Sequence, residues 1–73
     1  MATQSETVRL LDELVRLQAL AIRRQAPSQA EAITELSSAG LGPTRIAELL
    51  GTTPGTVNVA LARQAKRRKT AAP

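Results

Sequence analysis

Apolar residues recur at helical spacing along most of the chain, and glycine and proline cut it into four segments. The first, Ser5 to Ala26, holds neither Gly nor Pro and is long enough for about six helical turns. Thr3 with Glu6 has the spacing of a capping box, and Ser5 is a competing cap. Leu10, Leu14, Leu17 and Ala21 form one seam at 4-3-4 spacing; Leu11, Val15 and Ile22 trace a neighbouring one, interrupted by Gln18. Val8 and Leu20 widen the apolar face. Two seams exceed what one small domain needs to cover a helix. One is therefore expected to pack on the chain's own domain and the other on a partner, the alternative being that both are core.

Pro27 ends this helix, because proline disfavours helical geometry at Ala26. Ser28 and Glu31 make a second capping box, opening a short helix from about Gln29 to Ser38. Ala30, Ile33, Leu36 and Ala39 are its expected inward residues, and Gly40 its terminating glycine. Gly42 then caps a third helix with Pro43 in its first turn, where a missing N–H costs nothing. Leu41, Ile46, Leu49 and Leu50 have the spacing of its apolar face. Gly51 suits a left-handed helix end, Thr53 a cap and Pro54 the start of the fourth helix, which Val57 and Leu61 hold inward. That helix runs into the basic block and fades between Arg68 and Ala71, with Met1–Gln4 and Thr70–Pro73 expected to be frayed or disordered. Helix, glycine turn and capped helix within about twenty residues is the outline of a helix-turn-helix.

This segment resembles the helix-turn-helix of region 4 of bacterial sigma factors and is similar to the C-terminal DNA-binding domain of LuxR-type regulators. The matching residues are Gly40-Leu41, Ile46-Ala47-Glu48-Leu49-Leu50-Gly51, Pro54-Gly55-Thr56-Val57, Leu61 and Arg63, within residues 28–68. The resemblance implies that Ala47 is small because two helices cross there, that Gly51 makes the turn, and that the exposed face of the second helix enters the major groove. Thr52 departs from the pattern, standing where these families usually have Ile or Val. A promoter-melting region has no counterpart.

Composition narrows the class. Seventy-three residues make one domain, with no aromatic residue and no cysteine to supplement an aliphatic core. No apolar run exceeds four residues and no signal peptide is visible, so a soluble cytoplasmic protein without membrane association is expected. Residues 1–62 carry five basic and six acidic side chains, a net of −1. Residues 63–73 carry Arg63, Lys66, Arg67, Arg68 and Lys69 against no acid, so the whole formal excess of +4 belongs to the tail. Such a block serves a polyanion, nucleic acid first, or solubilises a chain end.

With His, Cys, Tyr and Trp all absent, the commonest general base, the thiolate nucleophile and the usual zinc ligands are missing, and no enzymatic role, metal or cofactor is expected. Glu31 and Glu35 lack companion ligands and read as a solvated helix face. DNA recognition fits the remaining polar residues. Thr53 and Thr56 sit at a helix N-terminus suited to phosphate, with capping as the competing role of Thr53. Asn58 has the groups for adenine, Thr56 or Val59 for a thymine methyl, and Arg63 for guanine or backbone; Ala62 shares their face. Arg45 on the preceding helix is expected at a phosphate, and Lys66 and Arg67 at the backbone.

The sequence thus predicts an all-α fold, a small bundle of about four helices with a helix-turn-helix and a long N-terminal helix. Residues 1–26 are the expected dimerisation helix (Leu10, Leu14, Leu17, Ala21), 27–69 the DNA-binding domain and 70–73 a disordered tail. The expected function is that of a nucleoid-associated, homodimeric regulator binding double-stranded DNA, its recognition helices about 34 Å apart or a multiple of that. The alternatives are an interaction module for RNA polymerase or another transcription factor, and a nucleoid-like protein using only its tail.

Overall fold

The computed structural model describes residues 3–71, with side chains through Arg67. Four helices and no strand are present among these residues: α1 (Gln4–Gln25), α2 (Gln29–Ser38), α3 (Pro43–Leu50) and α4 (Pro54–Ala71). The fold is a small all-α bundle, as the periodicity predicts.

Local chemistry sets each boundary. Thr3, not Ser5, caps α1: its hydroxyl oxygen accepts the Glu6 N–H at 3.2 Å. The helix ends where Ala26 turns extended, ψ 138°, ahead of Pro27. Ser28 caps α2 by accepting the Glu31 N–H at 3.2 Å. Its far end is a Schellman turn: with Gly40 at φ +96°, the Leu41 N–H reaches the Leu36 carbonyl (3.3 Å) and the Gly40 N–H that of Ser37 (3.0 Å). Gly42 precedes α3 without a side-chain cap, and Pro43 fills its first position. Gly51 at φ +69° then lets the Thr52 N–H bond the Ala47 carbonyl at 2.9 Å, which reverses the chain into α4. Thr70 and Ala71 belong to α4 rather than to a disordered tail; Met1, Ala2, Ala72 and Pro73 lie outside the described residues.

The core is Ala32, Ile33 and Leu36 from α2, Ile46, Ala47 and Leu50 from α3, and Val57 from α4. Ile22, Ala26, Leu41, Ala60 and Leu61 pack around it, and Leu49 is half-buried. Ala30 and Ala39, expected inward, are exposed, and Ala32 takes the inward place. A three-residue step falls short of a helical turn by about 60°, so a strict 3-3-3 pattern walks off the face that Ile33 and Leu36 share.

Helices α1 and α4 each pack on both α2 and α3 yet do not touch one another, so they lie on opposite sides of the α2–α3 pair. Toward its C-terminus α1 docks through buried Ala19 and through Ile22 and Ala26. Leu10, Leu14 and Leu17 are 48%, 58% and 62% exposed, and Ala21 is exposed as well. Of the second seam only Ile22 meets the core, while Leu11 and Val15 stay exposed; neither seam as a whole covers the domain. The reason is length: α1 is about 33 Å long, against about 15 Å for α2 and 12 Å for α3. The molecule is accordingly elongated, 55 × 22 × 22 Å. Among the described residues no helix is long and apolar enough to cross a membrane.

Candidate nucleic-acid interface

Burial of Val57, flanked by half-buried Ala60, Leu61 and Gln64, fixes the rotation of α4 about its axis. The remaining half of the helix is solvent-facing. At 100° per residue it presents Thr56, Asn58, Val59, Ala62, Arg63, Lys66 and Arg67, all exposed. The structure thus brings the α4 residues singled out in the sequence onto one continuous face. From Leu49 to the end of the chain there is no acidic residue to oppose a polyanion on this face.

The first turn of α4 is held by two hydroxyls. Thr53 Oγ1 accepts the Thr56 N–H at 3.2 Å and lies 2.9 Å from Thr56 Oγ1. Thr53 is therefore the cap, and its hydroxyl works within the helix. Thr56 and Asn58, one position to either side of buried Val57, stand at opposite edges of the exposed half.

Arg45 of α3 makes ion pairs within the chain. Its guanidinium bonds Asp12 of α1 and, at 3.0 Å, Glu48 one turn along α3. Arg16 closes the ring, 2.8 Å from Asp12 and 2.7 Å from Glu48. The hydrogen bonds from Arg16 and then Arg45 hold the Asp12 carboxyl below its ordinary pKa, and Asp12 in turn raises both arginines. This four-residue ring ties the middle of α1 to α3. Arg45 thus serves α1 docking on the side of the molecule away from α4, and is not arrayed with the α4 face. The spacings Asp12–Arg16 and Arg45–Glu48 suit pairs within one helix, but no local spacing connects residues 32 and 33 apart.

A groove of about 560 Å³ runs between α2 and α4. Ala30, Ile33, Val59 and Ala60 supply its apolar surface, and Gln29, Gln64, Thr56, Arg63 and Arg67 its polar surface. Gln29 and Gln64 carry no motif and were not indicated by sequence. Ala30 lines this groove because it lies outside the core. Glu31 and Glu35 border a separate hollow of about 270 Å³ under Ala26 and Pro27, and among the described residues no group of three His, Cys, Asp or Glu side chains could hold a metal. Compared with protein-family models, with curated proteins and with solved structures, the chain matches none.

Proposed function

We propose that this protein binds double-stranded DNA in a sequence-dependent way through the outer face of α4, and that it regulates transcription from the sites it occupies. The observation that carries the reading is the exposed half of α4. A capped helix, rotationally fixed by Val57 and Leu61 after a left-handed glycine turn, offers Thr56, Asn58, Val59, Ala62 and Arg63 together on an acid-free surface. An α-helix of that width fits the major groove. Asn58 there supplies a donor and an acceptor for adenine, Val59 a methyl surface for thymine, and Arg63 a fork for guanine or phosphate. Arg63, Lys66 and Arg67 add the sequence-independent attraction to the backbone. The likeness of Gly40–Arg63 to sigma region 4 and LuxR-type modules supports the same assignment. Capping occupies Thr53 and the ion ring occupies Arg45, so neither the base contact of Thr53 nor the phosphate contact of Arg45 is part of this proposal.

The protein acts as a homodimer in this reading. Leu10, Leu14, Leu17 and Ala21 form an apolar stripe facing away from the rest of the chain. Covering a leucine is worth about 1.5–3 kcal/mol, and a second copy of the same stripe is the simplest cover. Its place of action would be cytoplasmic DNA.

A second reading is favoured by one feature, the α2–α4 groove. Its apolar floor and arginine rim suit a segment of a protein partner such as RNA polymerase, with DNA binding secondary. Selection of bound duplexes from a random pool separates the two. An enriched consensus whose affinity falls steeply with salt supports the DNA reading. No enrichment, together with polymerase capture that survives Asn58→Ala and Arg63→Ala, supports the second.

A further inference from the structure

The apolar stripe of α1 and the exposed face of α4 lie on opposite sides of the molecule. Asp12, Ala19 and Ala26 recur every seventh residue on the side of α1 that meets α2 and α3. Leu10, Leu14, Leu17 and Ala21 follow the alternating four- and three-residue steps of a coiled-coil seam, about half a turn away from that line. Since α2 and α3 separate α1 from α4, the stripe and the α4 face look in opposite directions.

Side-chain size and charge decide how two such stripes meet. Antiparallel pairing places Leu14 opposite Leu17 of the second copy and Leu10 opposite Ala21, so every layer contains a leucine and the small Ala21 never meets itself. It also sets Glu6 beside Arg24 of the second copy, both exposed. Parallel pairing would instead stack Ala21 on Ala21 and Arg24 on Arg24, leaving a gap next to a like-charge repulsion. We propose that α1 pairs antiparallel with α1 of a second copy about a two-fold axis between Val15 and Arg16, and that the resulting dimer bridges two separate DNA duplexes.

The bridging follows from the placement of α4 and rests on its reading as a duplex-binding face. Each copy hangs its α2–α3 pair and then its α4 on the outer side of the central helix pair. The two α4 axes are then roughly 40 Å apart, taking 8–10 Å for each packed helix pair. Their exposed faces point away from one another. One straight duplex cannot touch both, and DNA that is stiff over about 150 bp does not curl round so small a body within a short site. Two half-sites one turn apart on a single duplex are therefore not the target; two duplex segments, each met by one α4, are.

The chain has no cysteine, so single cysteines report the pairing cleanly. The full-length Leu10→Cys and Ala21→Cys variants would be treated with a short bis-maleimide, separately and mixed. Cross-linked dimer only in the mixture supports antiparallel pairing; efficient cross-linking of either variant alone, or none anywhere, overturns it. In parallel, a biotinylated duplex of about two helical turns is immobilised and a second, fluorescent duplex of the same sequence is added with the wild-type protein. Capture of the second duplex in near-equal amount, lost in the Leu14→Asp, Leu17→Asp variant while that variant still binds the immobilised duplex, supports bridging. One duplex bound per dimer overturns bridging with the DNA reading intact. Binding of no duplex, with the mixed cross-link present, overturns the DNA reading and bridging together but upholds the antiparallel pair.

Discussion

Truncating two residues by the same three carbons should have opposite consequences. Ile46 is fully buried where α2, α3 and α4 meet, whereas Leu14 is 58% exposed on the outer side of α1. Removing three carbons from Ile46 forfeits about 2.4 kcal/mol of transfer free energy at 0.8 kcal/mol per methylene-sized group. The cavity left among Ile33, Leu50 and Val57 raises the cost of Ile46→Ala to about 3–4 kcal/mol. A domain of this length is stable by roughly 4–11 kcal/mol, at about 0.05–0.15 kcal/mol per residue, so this one change removes about a quarter or more of the total. Leu14→Ala should cost about 0.5 kcal/mol or less within a single copy. Its effect should instead appear in the concentration dependence of unfolding, because the wild-type midpoint rises with protein concentration when folding is linked to dimerisation. Urea unfolding followed by circular dichroism at two concentrations tenfold or more apart measures both; without Tyr or Trp, fluorescence cannot. Ile46→Ala should lower the midpoint by a similar amount at both concentrations, and Leu14→Ala should abolish the difference between them. An equal, concentration-independent loss for the two variants would refute the division of α1 and α3 into outward and inward faces.

Three further outcomes are expected. Asn58→Ala should weaken binding to the preferred duplex by about 1–3 kcal/mol and barely change binding to random DNA, as measured by fluorescence anisotropy; equal loss on both would show that Asn58 reads no base. Removing residues 66–73 should weaken binding to every duplex alike and reduce the log–log salt slope by about 0.9 per lost phosphate contact, with the helical core intact by circular dichroism; an unchanged slope would take the tail away from DNA. Asp12, held ionised by Arg16 and Arg45, should titrate below its ordinary value of 3.8, so that its contribution to α1 docking is present above that pH and is lost as pH falls through the lowered value. A carboxyl-carbon NMR titration checks this, and a midpoint at or above the ordinary value would contradict the ion ring.

The helices and their ends were legible because they depend on neighbours in the chain. Thr3, Ser28 and Thr53 each cap the helix assigned to them, and Gly40 and Gly51 take the positive φ that their positions demand. Faces were legible where the apolar spacing follows 3.6 residues, as for Ile46 and Leu50, and misread where a run of three-residue steps was extended to Ala30 and Ala39. The role of Arg45 was hidden, since its partner Asp12 is 33 residues away and only the folded chain brings them together. The docking of α1 was hidden for a related reason. It uses Ala19, Ile22 and a charged ring, while the more conspicuous leucines stay outside. On α4 the candidate residues could be grouped from sequence because Val57 and Leu61 orient the helix. The α2–α4 groove could not, because Gln29, Ala30 and Ile33 of its lining come from α2, a helix without any binding motif.

The central claim is that the outer half of α4 is the surface that meets duplex DNA. Amide chemical-shift mapping by NMR, with the unmodified protein titrated by a selected duplex, tests it residue by residue. The largest shifts should fall on Thr56, Asn58, Val59, Ala62 and Arg63, with little change at Leu10, Leu14 and Leu17. Shifts centred on α1 or on the Asp12–Arg45 ring, or no shifts at saturating duplex, would contradict it.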